Sequence, residues 1–172
     1  MTLQAITVLG HDRPGIIAET TRVLADLGLN IEDSTMTLLR GHFAMMLVCA
    51  GDRSSAEIEA ALSGLTADGA LTVTVREVPE EPEHASIGAS YVLSVHGGDR
   101  AGIVSTVVGE VARVGGNVTD LTTRLAGGMY VLVAEVDLPA ACDVDALHAT
   151  LRDAGDVLGV GVGLRRMESD DL

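Results

Sequence analysis

A seven-residue turn, Gly10-His11-Asp12-Arg13-Pro14-Gly15-Ile16, returns 87 places along the chain as Gly97-Gly98-Asp99-Arg100-Ala101-Gly102-Ile103. The likeness extends past the turn. Without a gap, about a dozen of the 39 residues from Gly10 to Val48 recur identically, among them Gly28/Gly115, Asn30/Asn117, Asp33/Asp120 and Gly41/Gly128. A repeat of this size within 172 residues predicts two small related domains instead of one ordinary one. The expected boundaries are residues 1–78 for the first domain, 79–88 for a linker, 89–167 for the second domain and 168–172 for an acidic tail. Domains of this size bury only about 60% of the surface their unfolded chains expose, so the halves are expected to gain from a shared interface.

Within the first repeat, Leu3 to Leu9 reads as a short strand that stops at Gly10. The helix that follows places Ile16, Ile17, Thr20, Val23, Leu24 and Leu27 on one face, with Pro14 in its opening turn and Gly28 as its stop. Asn30 to Leu39 is polar enough for a sheet edge, whereas the apolar run from His42 to Ala50 suits a sheet centre. Arg40-Gly41 is the turn between them. Ser54-x-x-Glu57 is a capping box opening a second helix, with Ile58, Ala61, Leu62 and Leu65 on its inner side and an end near Gly69. Alternating Leu71, Val73 and Val75 make a final half-buried strand, and Pro79 to Glu83 is an acidic, proline-bearing linker.

The second repeat gives strands near 91–96, 117–125, 129–137 and 157–165, with helices near 103–114 and 144–154. In its last strand Leu158, Val160, Val162 and Leu164 fill one face, while Gly159, Gly161 and Gly163 leave the other bare for a close backbone or simply weaken the strand. The fold class expected is α+β, two ferredoxin-like βαββαβ sandwiches, each an antiparallel sheet with its helices on one face.

Charge removes several functions. A net charge of -14, carried against eleven arginines and no lysine, disfavours direct nucleic-acid binding and excludes Schiff-base chemistry. Two cysteines are too few for a disulfide framework; Cys49 reads as a buried inert thiol and Cys142 as a residue ahead of a helix. No leader pattern and no long apolar run is visible, so the chain reads as cytoplasmic, without a membrane segment. No nucleophile elbow, metalloprotease helix, phosphate-binding loop or dinucleotide fingerprint occurs, and the chain is expected to be no enzyme and to carry no cofactor. The five histidines are scattered, His42 against an apolar strand; His11 and His96 precede the repeated turns, where a metal was weighed and set aside.

The repeated turn carries what chemistry remains. Amides at a helix start are unpaired and positive, so the turn from Asp12 to Ile16 can receive a carboxylate, with Asp12 or Asn30 near an ammonium group. The alternative is purely architectural. Asp12 then caps its own helix, Arg13 is solvated, Pro14 and Gly15 shape the turn, and Asn30 suits the strand entry.

A strand, then Asp12-Arg13-Pro14-Gly15-Ile16-Ile17, a helix and Gly28-Leu29-Asn30-Ile31 together resemble the ACT domain, a small-molecule-sensing module of amino-acid metabolism. The runs Asn30-Ile31-Glu32-Asp33-Ser34 and Leu39-Arg40-Gly41-His42-Phe43 are similar to the glycine cleavage system transcriptional repressors, a family of two ACT domains. The resemblance implies an amino-acid effector bound between the β1–α1 loop of one domain and an edge strand of a neighbour. It places ligand contacts on His11, Asp12, Pro14, Gly15, Ile16 and Asn30, and on Asp99, Gly102 and Asn117 in the second half. It also implies a protein partner, either a transcriptional regulator or, for a detached regulatory subunit, a metabolic enzyme, and it is compatible with a homodimer. Ala101 in place of the proline, with the extra Gly97-Gly98, makes the second turn looser.

Overall fold

The computed structural model describes residues 2–79 and 87–167; the expected tail and most of the expected linker, 80–86, lie outside the described residues. The chain divides into two compact units, Met1–Pro82 and Glu83–Leu172. The first runs β1 (Thr2–His11), α1 (Ile16–Asp26), β2 (Asn30–Leu39), β3 (His42–Gly51), α2 (Ser55–Ala61), α3 (Ser63–Thr66) and β4 (Leu71–Val78). The second runs β5 (Ile87–Gly98), α4 (Ile103–Arg113), β6 (Asn117–Ala126), β7 (Met129–Pro139), α5 (Val144–Leu158) and β8 (Val160–Arg166). Each unit forms a four-stranded sheet, in the orders β2-β3-β1-β4 and β6-β7-β5-β8, with every pairing antiparallel. The ferredoxin-like arrangement is therefore present twice.

Side-chain alternation decides which sheet face is covered. Along β1 Gln4, Ile6 and Val8 are buried, and along β3 Phe43, Met45, Leu47 and Cys49 join them under Ile16, Thr20 and Leu24 of α1. Burying each such aliphatic side chain is worth about 1.5–3 kcal/mol, which outweighs the modest intrinsic preferences of the segments. In the second unit the valine-rich α4 survives for the same reason. Its Ile103, Val107 and Val111 recur at helical spacing and are all buried against Leu93, Val95 and Leu132. Two polar groups enter the first core satisfied: Thr20 donates to the Ile16 carbonyl at 2.8 Å, and the Gln4 amide meets the Arg53 carbonyl at 3.3 Å and the Ser55 hydroxyl at 2.8 Å.

Several boundaries move from their expected places. The first helix starts at Ile16, so Pro14 lies ahead of it, and Ile17 is 44% exposed instead of facing the core. The second helix breaks at Leu62, next to Ser63-Gly64, and Ala61 is exposed while Ile58, Leu62 and Leu65 stay buried. Strand β5 begins at Ile87, two residues inside the expected linker. Helix α5 continues to Leu158 and ends on Gly159 at φ 70°, so Leu158 and Gly159 belong to a helix end, not to the last strand. Gly161 and Gly163 lie opposite His96 and Ser94, where a Cβ would come within 2.7 Å of the imidazole and 2.9 Å of the hydroxyl. The bare face accommodates neighbouring side chains, not another backbone.

Strands β2 and β6, each at one edge of its sheet, carry the same irregularity. Register shifts between Ile31 and Asp33 in β2 and between Val118 and Asp120 in β6, a bulge that increases the local twist. The repeated Asp thus marks a repeated backbone feature.

Candidate functional site

Each repeated turn ends on a glycine that no other residue replaces cheaply. Gly15 has φ 92°, ψ -4° and Gly102 has φ 93°, ψ -5°; each is the N-cap of its helix, and neither helix has a side-chain cap. The first intrahelical bonds, Glu19 to the Gly15 carbonyl and Thr106 to the Gly102 carbonyl, are both 2.9 Å long. The amides of the three residues before each donor therefore lack intrahelical acceptors and point out with the positive end of the helix. This is the geometry of an anion-binding turn. Asp12 does not cap α1, because Gly15 occupies the N-cap with no side chain bonded there. Instead the Asp12 amide donates to the Gly41 carbonyl at 3.1 Å, joining the turn to the β2–β3 hairpin. Among the described residues Asp99 makes no counterpart to that bond, which agrees with a looser second turn.

Arg13 is not simply solvated. It pairs with Glu19 at 3.2 Å, both side chains about a third exposed, across the opening turn of α1. The two rings at the top of the first sheet also meet: His11 and His42 are opposite one another in the β1–β3 register and stack at 5.2 Å between centroids, 27° apart. His42 is exposed, not a buried structural histidine. Among the described residues no three of His, Cys, Asp and Glu gather as a metal site.

The structure brings His11, Asp12, Pro14, Gly15 and Ile16 together at one end of the first unit and leaves Asn30 at the other. Asn30 pairs with Ala50, which pairs with Leu3, whereas His11 pairs with His42. The eight β1 steps from Leu3 to His11 amount to about 26 Å at roughly 3.3 Å per residue. In the second unit Asn117, opposite Asp137, is likewise remote from Asp99 and Gly102 beyond the Gly98–Met129 pair. Asn30 and the turn of its own unit therefore cannot touch one small ligand.

What adjoins the first turn is a groove that the sequence did not announce. It has a volume of about 180 Å³ and is lined by Ile17 and Thr21 of α1, Ile31, Ser34, Thr35 and Met36 of β2, and Met45 and Leu47 of β3. Ile17, one of the three residues whose amides are free, is the residue that the groove shares with the opening turn of α1. The signal for the groove in the sequence is Met36, an apolar residue within a polar edge strand and 46% exposed in the structure.

The family model described as ACT domain matches twice, over residues 3–76 and 90–164. A UPF0237 protein of Methanopyrus kandleri is 47% identical over 58 residues, which is 34% of this chain and 62% of that one, so the match spans less than two thirds of the relative's length. A solved protein of unknown role from Galdieria sulphuraria is 26% identical, with TM-score 0.81 over 97% of this chain and 99% of its own. A solved protein provisionally named a glycine cleavage system transcriptional repressor is similar in fold, with TM-score 0.70 and 18% identity over 98% of each chain.

Proposed function

The chain belongs to the ACT domain family, and on that premise we propose that it is a non-enzymatic regulatory protein that senses an amino acid and passes the signal to a protein partner. The observation that carries this reading is the pair of glycine-led helix starts with free amides, one of them followed by Ile17, which lines an apolar groove. The effector's carboxylate sits on the amides of α1, and an aliphatic side chain extends between Ile17 and Met36.

Asn30 enters from elsewhere. When two edge strands pair antiparallel, the start of one lies beside the end of the other, so Asn30 of a second copy is presented to the turn that Asn30 of the same unit cannot reach. A homodimer closed by β2 strands satisfies that demand with one self-complementary surface. Control of transcription of amino-acid catabolism through a DNA-binding partner is the finer reading, supported by the fold likeness to the repressor-named protein and by an acidic surface unsuited to DNA. The alternative, a detached regulatory subunit of a metabolic enzyme, differs only in the partner, and affinity capture separates the two.

Small ligands make few contacts, so affinity is expected between micromolar and millimolar, about -8 to -4 kcal/mol. Calorimetry across the twenty common amino acids tests the site. Asn30→Ala should weaken binding by about 1–3 kcal/mol through one lost hydrogen bond to a charged group. Asn117→Ala is the matching change in the second half. If both variants bind the same amino acid as tightly as wild type, the effector lies elsewhere.

A further inference from the structure

The internal repeat lets one half serve as a control for the other, and the halves differ at the end of the sheet remote from the repeated turns. In the first unit Gln4 is 1% exposed, and its amide is closed off by the Arg53 carbonyl and the Ser55 hydroxyl. Strand register places Tyr91, opposite Val136, where Gln4 stands opposite Cys49, since the β1–β3 and β5–β7 pairings otherwise coincide at the repeat spacing. Counting from the helix caps, Ser54 and Asp143, Val144 stands where Ser55 stands. The hydrogen-bonded plug therefore has no counterpart. The loop is also longer, with Pro139 to Cys142 between Leu138 and the cap where the first unit has only Asp52 and Arg53 between Gly51 and its cap.

A pocket of about 250 Å³ opens in that place, bounded by Tyr91, Leu138, Pro139, Cys142, Val144 and Arg166. Its lining mixes aliphatic and polar groups and includes one guanidinium, that of Arg166, which has no ion-pair partner among the described residues. Arg166 reaches the pocket's lining from β8, where it pairs with Tyr91 in the β5–β8 register. A tyrosine, a cysteine and an arginine lining one pocket with Leu138, Pro139 and Val144 make a small-molecule site of ordinary composition. The site is separate from the α4 turn: seven β5 steps, about 23 Å at roughly 3.3 Å per residue, lie between Tyr91 and Gly98.

We infer that the second unit carries its own binding pocket for a small organic carboxylate with an apolar body, its carboxylate on Arg166 and its body between Tyr91 and Val144. Arg is suited to the task because its planar fork matches a carboxylate's two oxygens. Cys142 lines the pocket and reports its occupancy, and Cys49, buried in the other unit, is an internal control.

The full chain is alkylated with iodoacetamide in the presence of rising benzoate, and modification at each cysteine is followed by peptide mass spectrometry. Benzoate should slow modification of Cys142 several-fold and saturably, and Arg166→Gln should remove that protection. Ligand-observed NMR of benzoate with wild type, Arg166→Gln and the plug-restoring pair Tyr91→Gln with Val144→Ser gives a second readout independent of the thiol, with circular dichroism reporting the fold of each variant. Loss of the benzoate signal in folded Arg166→Gln, and its retention in Asn30→Ala, supports the pocket. No protection in wild type, or equal protection and equal signal in folded Arg166→Gln, overturns it.

Discussion

At the scale of single residues, the repeated turn depends on two glycines for a conformational reason and not a spatial one. A Cβ at Gly15 would find nothing within 4 Å, so an alanine there meets no clash, yet the φ of 92° is one that side-chain-bearing residues rarely adopt. Gly15→Ala should therefore destabilise the fold by about 1–2 kcal/mol through backbone strain alone, read as a lower urea midpoint with an unchanged slope. An unchanged midpoint would show that the turn relaxes freely, and the free amides would then lose their fixed direction. Cys49 makes the opposite case, a side chain defined by its surroundings. Burial, and secondarily the Glu32 carboxylate, push its thiol above the ordinary cysteine range. The folded protein thus keeps it protonated, and the stability it contributes is present below the unfolded thiol's pKa and is lost as pH rises through the folded value. Native protein titrated with a thiol reagent at neutral pH should consequently react at Cys142 and spare Cys49 until unfolded.

At the scale of elements, the capping box at α2 shows how a short helix is held. The Ser54 amide donates to Glu57 at 2.9 Å and the Glu57 amide donates back to the Ser54 hydroxyl at 3.3 Å. Those bonds from Ser54, with Arg53 nearby, hold the Glu57 carboxyl below its ordinary range. A depressed folded value means that the stabilisation is present above the unfolded carboxyl's pKa and is lost as pH falls through the folded one. Ser54→Ala should cost about 1 kcal/mol at neutral pH, and the difference from wild type in denaturant melts should shrink in acid; a difference independent of pH would assign the cost to something other than the cap. This box was legible in the sequence because capping is a local pattern of two residue types at fixed spacing. Strand order and the edge position of β2 were legible too, since polarity along Asn30 to Leu39 contrasts with the apolar β3. What escaped was set by contacts between elements. Asn30 was grouped with the turn because the repeat preserves both, but only the pairing of β2 with β3 reveals that they stand at opposite ends. The extension of α5 through Val157 and Leu158 escaped for a related reason, an apolar run that fits either a helix end or a strand start.

At the scale of the whole molecule, charge decides what kind of regulator this can be. The net charge is -14, and among the described residues four of the eleven arginines, Arg13, Arg22, Arg53 and Arg113, lie within ion-pair distance of a carboxylate. A protein that neutralises Z phosphates loses affinity with a slope of about -0.9Z against the logarithm of salt, so binding by six contacts needs six cations on one face. Here cations already engaged with Glu or Asp would have to exchange those partners for phosphates, while the surplus of carboxylates repels the duplex at every approach within a Debye length, about 8 Å at physiological ionic strength. Steering of this kind disfavours encounter as well as affinity. The pure protein should accordingly give no shift of duplex DNA at physiological salt, with or without the amino acid that calorimetry identifies, and lowering the salt should not produce one. Any influence on a promoter must then pass through a partner, and a shift should appear only when a basic DNA-binding protein is added and should respond to the effector through that protein's affinity for the chain. A sequence-specific shift by the pure chain, steepening in the expected way as salt falls, would require a cationic face that its charge distribution denies and would remove the case for an intermediary.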